Sequence, residues 1–183
     1  WYKYKEAFSA GLVEHLLDRY RISKGVLLDP FAGSGTALFA AGGRGMKAEG
    51  IELLPIGQTI ITTKRIIDWE FTQADLIRLD AWRTERPWQA STVISHINEL
   101  KITRGAYAAE TVEELGQFLA ATEQEGERVR AVLVFAVLCI LESISYTRKD
   151  GQYLRWDYRS GRRKKKKRFD KGPILTFEKA ITE

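Results

Sequence analysis

Hydrophobic positions along this chain change their spacing from one stretch to the next, and each spacing predicts an element. Leu12, Val13, Leu16, Leu17 and Tyr20 recur at helical intervals, so residues 10–20 read as an amphipathic helix with Ser9 placed to cap it. Val26, Leu27 and Leu28 form a short apolar run that stops at Asp29-Pro30 and reads as a buried strand. Residues 31–35 are a glycine-bearing loop, and residues 36–42 then read as a helix halted by Gly42-Gly43. Residues 48–53 read as a second strand. Pro55-Ile56-Gly57 turns the chain, and residues 58–67 continue as a helix despite their β-branched Ile and Thr. Strand, glycine loop, helix and strand open a doubly wound α/β fold.

The middle of the chain shows no strand–helix alternation. Trp69, Trp82 and Trp88 are scattered among charges. Residues 111–122 and 127–146 read as two helices with Gly126 between them. The second is apolar almost all round from Val129 to Leu141, which predicts a central buried helix with Cys139 an inert core residue. His96, Asn98 and Glu99, near Arg104, read as a solvated helix face. There are no internal repeats. Residues 162–168, RRKKKKR, cannot pack as a core and read as a mobile loop.

A length of 183 residues suits one domain, or one domain with a lobe, and buries enough surface to fold without a metal or a disulfide. One cysteine allows no intrachain disulfide and points to a reducing compartment. With only His15 and His96 beside it, no four-ligand zinc site is expected. The longest apolar run, Ala131 to Leu141, falls short of the ~20 residues that span a bilayer, and no signal peptide is visible.

Charge is unevenly placed. The net charge is +5, yet residues 148–171 hold 12 basic and 3 acidic residues, a net +9, which leaves −4 on the rest. Such asymmetry predicts a polyanion partner for that segment.

The candidate chemistry lies in Asp29-Pro30-Phe31-Ala32-Gly33-Ser34-Gly35-Thr36. A glycine loop after a buried strand lets the backbone approach a ligand, and the following helix start offers free N–H groups. Glu52 follows Gly33 by 19 residues, at the end of the second strand, where a carboxylate can accept ribose hydroxyls. A nucleoside site is implied. The third glycine of a dinucleotide fingerprint is missing after Gly33 and Gly35, and no phosphate-cradling G-x-x-x-x-G-K-[ST] loop occurs. The bland alternatives are a strand-end solvated carboxylate at Glu52 and a capping group at Asp29.

Residues 29–36 resemble the S-adenosyl-L-methionine motif of the DNA amino-methyltransferases, which methylate the exocyclic amine of adenine or cytosine. Gly50-Ile51-Glu52 resembles their acidic motif. The resemblance implies a partial Rossmann-like methyltransferase sheet with a helical insertion. It implies that Asp29 and the loop Gly33, Ser34 and Gly35 hold the methionine part of S-adenosylmethionine, with Pro30, Phe31, Ala32 and Thr36 as further cofactor-binding residues. Glu52, with Leu53 beside it, would hold the ribose. Residues 4–9 are similar to the family's amino-terminal cofactor segment, which would set Phe8 near the cofactor.

That family's reaction centre is [Asp/Asn/Ser]-Pro-Pro-[Tyr/Phe/Trp], whose acceptors bind the target amine and whose ring stacks on the extruded base. Here Pro30, Pro55, Pro87 and Pro173 stand apart, so no catalytic residue is assigned. Cys139 follows Leu138 and not a proline, which speaks against cysteine-directed ring methylation. Residues 145–174 resemble the part of the family's insertion that precedes the catalytic half. The expectation is the amino-terminal portion of a longer or split bacterial or archaeal cytoplasmic methyltransferase, inactive alone, with DNA and the remaining catalytic half as partners and no membrane. Its expected segments are residues 1–68 for cofactor binding, 69–147 as a helical insertion and possible target-recognition lobe, and 148–183 as a DNA-contacting segment. The alternatives are a non-catalytic nucleic-acid-binding subunit of a split methyltransferase and an RNA methyltransferase.

In the basic segment Tyr146, Tyr153, Trp156 and Tyr158 interleave with Arg148, Lys149, Arg155 and Arg159, and Arg162, Arg163, Lys164, Lys165, Lys166, Lys167 and Arg168 follow. These cations are the candidate nucleic-acid contacts. The aromatic rings either stack on bases or anchor a hairpin in the core.

Overall fold

Ser9 begins the first regular element: its hydroxyl accepts from the Leu12 N–H at 3.3 Å and caps α1, Ala10–Arg19. The computed structural model describes residues 8–150, 153–162 and 168–183, and the chain divides into two units, Trp1–Glu70 and Phe71–Glu183.

In the first unit α1 buries Val13 and Leu17 against Ala37, Ala40 and Ala41 of α2, Thr36–Gly43, with Met46 closing the cluster. Three alanines on the facing helix leave room for the larger side chains of α1. Strands β1, Val26–Asp29, and β2, Lys47–Gly50, pair in parallel from Val26 opposite Lys47 to Asp29 opposite Gly50. Helix α3, Pro55–Trp69, starts three residues earlier than the sequence predicts, because a proline's fixed φ suits the first helical turn. It buries Ile60, Thr63 and Ile66, and its Trp69 stacks on Phe39 of α2 with ring centroids 5.7 Å apart.

Strand β1 is not buried as expected. Leu27 packs on the α1–α2 cluster, but the two-residue period of a strand turns Val26 and Leu28 to the other face, where they are 57% and 63% exposed. Strand β2 stops at Gly50, so Glu52 lies two residues past its end.

The second unit contains α4, Gln73–Glu85; α5, Ala109–Thr122; α6, Glu127–Ile140; the antiparallel hairpin of β3, Thr147–Asp150, and β4, Tyr153–Trp156; and α7, Phe177–Thr182. Its core is an aromatic cluster. Trp82 and Trp88 stack at 5.8 Å, both meet Phe118 at 5.1 Å, and Phe118 meets Phe177 edge-on at 5.4 Å. The tryptophans that look scattered in sequence are therefore two core anchors, Trp82 and Trp88, and one exposed ring, Trp69. Helix α4 has a weak apolar period and was not expected; a capping box between Thr72 and Asp75 starts it.

Helix α6 ends at Ile140 and not at residue 146. Ser143 and Ser145 draw their hydroxyls onto the carbonyls of Ile140 and Glu142, which favours a turn over further helix. It buries Val129, Leu133, Phe135 and Val137 but leaves other apolar side chains half-buried, so it is not buried all round. Cys139, in its last turn, is exposed and not a core residue. His96, Asn98 and Glu99 lie in a stretch, 91–100, with no regular structure, and not on a helix; the Ser95 N–H donates there to the Gly116 carbonyl at 3.0 Å.

The expected boundary at 68/69 lies two residues from the observed one. The expected boundary at 147/148 falls inside β3, within the second unit. Hydrogen bonds bind the segment after it to what comes before: Asp157 N–H to the Tyr146 carbonyl at 2.8 Å and Leu175 N–H to the Ser143 carbonyl at 3.1 Å.

Candidate functional site

The β1–β2 ladder does not stop where the strands do. The Ile51 N–H donates to the Asp29 carbonyl at 2.9 Å, and the Ala32 N–H donates to the Ile51 carbonyl at 3.0 Å. Two bonds past the sheet thus lay the glycine loop against the segment bearing Glu52. The loop then bends into α2: Gly33 and Gly35 have φ of 54° and 77°, a region that favours glycine, and the Gly35 N–H closes the turn on the Ala32 carbonyl at 2.7 Å.

These segments line a cleft of about 350 Å³. The loop contributes Pro30, Phe31, Ala32, Gly33, Ser34 and Thr36; the segment after β2 contributes Ile51, Glu52, Leu53 and Leu54; Phe8 completes the wall. Phe31 and Leu53 are 88% and 85% exposed, two apolar side chains held out beside the opening. Of the residues singled out from sequence, Asp29 and Gly35 do not line the cleft. Asp29 instead braces the loop, its Oδ1 accepting from the Phe31 N–H at 3.0 Å, so it does not cap a helix. Gly35 sits buried at the start of α2.

Glu52 accepts from the Leu54 N–H through Oε1 at 2.6 Å, which orients the carboxylate, and its Oε2 has no hydrogen-bond partner among the described residues. Its carbonyl accepts from Gln58 Nε2 at 2.7 Å. Two residues of α3 missed by sequence reasoning also support the cleft. Gly57 is buried where a β-carbon would collide with Glu52 and with the Gly33 carbonyl. Lys64 donates from Nζ to the Ser34 carbonyl at 3.1 Å and lies 5.4 Å from the centroid of the Phe39 ring. Burial pushes its ammonium pKa down, with Asp68 opposing. No sequence signal reveals Lys64, since its spacing from Ser34 matters only once α3 packs back. The Gly57 signal was a glycine at a helix start, read only as a turn.

The basic segment of the second unit is more structured than a solvated loop. Asp157 has a fully buried side chain that accepts from Arg159 Nε at 2.7 Å, from Arg159 Nη2 at 2.9 Å, and from the N–H groups of Arg159 and Lys171 at 2.9 and 2.7 Å. Arg159, first of all, holds the Asp157 carboxyl far below its usual range. Arg162 lies 3.6 Å from the centroid of the Trp156 ring and donates to the Arg104 carbonyl at 2.8 Å. Arg155 pairs with Asp150 at 3.1 Å and lies over Phe169; Arg168 lies 5.5 Å from the Tyr158 ring centroid. Arg148 and Lys149 are exposed on β3. Arg163 and Lys164, Lys165, Lys166 and Lys167 lie outside the described residues. No group of three or more His, Cys, Asp or Glu side chains that could hold a metal occurs among the described residues, and none of their helices is long and apolar enough to cross a membrane.

Comparison with known proteins decides the kinship. The chain is 52% identical over 184 aligned residues, its whole length, to the type II methyltransferase M.AvaI of Nostoc sp. and equally to that of Anabaena variabilis. Over its whole length the chain is a homologue of type II methyltransferases. It is 39% identical over 97% of its length to the type II methyltransferase M.BsoBI of Geobacillus stearothermophilus. It spans 38% of the length of the M.AvaI proteins and 36% of M.BsoBI. No protein-family model matches the chain, and no solved structure matches it significantly. The small parallel sheet with its helices fits an α/β methyltransferase.

Proposed function

We propose that this chain is the cofactor-binding and DNA-contacting portion of a methyltransferase that moves a methyl group from S-adenosylmethionine to the exocyclic amine of adenine or cytosine in DNA. One observation carries the reading. The glycine loop and the Glu52 carboxylate leave the carboxyl ends of adjacent parallel strands and face one cleft, the place where open α/β sheets bind ligands.

The residues present fit the cofactor. Glu52 Oε2 is available to accept a ribose hydroxyl, Phe31 and Leu53 offer apolar surface to an adenine, and the start of α2 offers N–H groups beside the loop. S-adenosylmethionine supplies an electrophilic methyl when bound. The residues of this chain bind and orient it: Glu52 fixes the ribose, Asp29 and Lys64 hold the loop that meets the methionine part, and Phe31 and Leu53 exclude water from the base.

The amine acceptors of the reaction are supplied from outside residues 1–183, since no two prolines are adjacent here. Val26 and Leu28, exposed on the face of β1 turned away from α1 and α2, support an apolar docking surface for that further portion. Arg148, Lys149 and the run 162–168 supply phosphate contacts to DNA, and the lone cysteine suits a cytoplasmic enzyme.

Calorimetric titration with S-adenosylmethionine tests the reading. Glu52→Ala removes charge-assisted hydrogen bonds worth roughly 1.5–3 kcal/mol each and weakens binding tens-fold or more. Equal affinity in the two proteins would sink the ribose assignment.

A further inference from the structure

The β3–β4 hairpin sorts its side chains by the register. Thr147 faces Trp156 and both are buried, so that pair and the next-but-one pair, Lys149 opposite Leu154, belong to the face turned toward the unit's own core. Arg148 opposite Arg155, and Asp150 opposite Tyr153, lie on the other face. Two of these four are satisfied by each other, for Arg155 pairs with Asp150 at 3.1 Å. Arg148 and Tyr153 remain. They are diagonal neighbours on one solvent-facing surface, Tyr153 is 78% exposed, and Arg148 has no acidic partner among the described residues.

The segment's aromatic rings thereby separate by task. Trp156 is 9% exposed and lies under the Arg162 guanidinium. Tyr158 lies between Arg159 and Arg168, 5.5 Å from each. These two rings are engaged by the protein's own cations, whereas no ring or cation contact engages Tyr153 among the described residues. A large aromatic surface, held by a hairpin in extended geometry beside a cation with no acidic partner among the described residues and an excess of positive charge, matches a nucleic-acid strand: the ring suits the π-face of a base and the guanidinium suits the phosphate next to it. An apolar protein partner is disfavoured by the same charges, which its binding would have to desolvate.

We propose that Tyr153 stacks on a base of the bound nucleic acid while Arg148 neutralises an adjoining phosphate. The inference rests on the DNA-contacting reading above and goes beyond it by naming the ring that meets a base. Neither side chain bears on the core, so their replacement leaves the fold intact.

Fluorescence anisotropy with a mixed-sequence single strand, and with a strand of the same length made entirely of abasic sites, tests it. On the normal strand Tyr153→Ala weakens binding roughly 5- to 150-fold and leaves the salt slope unchanged, and Tyr153→Phe restores it. On the abasic strand Tyr153→Ala binds as the wild type does, because no base remains to stack. Arg148→Ser reduces the salt slope by about 0.7 on both strands. If the wild type binds with a salt dependence and Tyr153→Ala matches it on the normal strand, or loses as much on the abasic one, the stacking role is overturned and the DNA-contacting reading survives. If the wild type binds neither strand, nor a duplex, that reading falls and the stacking role falls with it.

Discussion

Gly57 and Glu52 leave each other no room. A β-carbon on Gly57 would lie 2.6 Å from Cγ and 2.7 Å from Cδ of Glu52, and 2.8 Å from the Gly33 carbonyl oxygen. The first turn of α3 thus presses against both halves of the candidate cofactor cleft, the acidic side chain and the glycine loop. Gly57→Ala should displace one or the other. We expect cofactor affinity to fall roughly tenfold or more, the size of one lost charge-assisted hydrogen bond, with far-ultraviolet circular dichroism unchanged. Wild-type affinity in a folded Gly57→Ala protein would show that this packing does not shape the site.

Acid should weaken the second unit through Asp75. The Arg128 guanidinium and the Thr72 hydroxyl and N–H hold its carboxyl at about 2, below the ordinary 3.8. A depressed carboxyl contributes stability that is complete above its unfolded value and is lost as pH falls through its native one. Chemical unfolding followed between pH 5 and pH 2 should therefore show stability declining from about pH 4 downward. In Asp75→Asn that share of the decline should be missing; an identical pH profile would refute the assignment.

Asp157 should matter more than its place in a basic segment suggests. Its buried carboxylate satisfies the N–H groups of Arg159 and Lys171 as well as the Arg159 guanidinium. Asp157→Ala leaves these donors unpaired and should cost roughly 1–3 kcal/mol, visible as a lower melting temperature. Arg159→Lys loses the two-pronged geometry and should recover only part of the wild-type stability. A melting temperature within error of wild type for Asp157→Ala would mean that water replaces the carboxylate.

Replacing residues 162–168 with Ser and Gly should weaken every DNA sequence alike, since phosphate contacts carry no base information. If about four of the seven cations meet phosphates, the duplex salt slope should fall by roughly 3.6. Cofactor affinity should stay as it was. An unchanged slope on two unrelated duplexes would reduce the run to a charged surface.

What the chain's order of residues determined by itself is the local chemistry of the cleft. A glycine loop must follow a strand ending in Asp29-Pro30, and a carboxylate must follow the next strand, because those features are set by backbone sterics and by period within about 25 residues. The helices at Ala10–Arg19, Thr36–Gly43, Ala109–Thr122 and Glu127–Ile140 were legible for the same reason, the last without its stop at Ile140. Packing between distant residues decided the rest. Nothing local tells that Trp82 and Trp88 meet Phe118 and Phe177 in one core, that Lys64 reaches the Ser34 carbonyl, or that Leu28 faces solvent. Nor does composition separate a cation committed to its own fold, as Arg159 is to Asp157, from an exposed one such as Arg148. Charge and apolarity are properties of a residue. Their use as brace, core or contact depends on which partner the folded chain brings within a few ångströms.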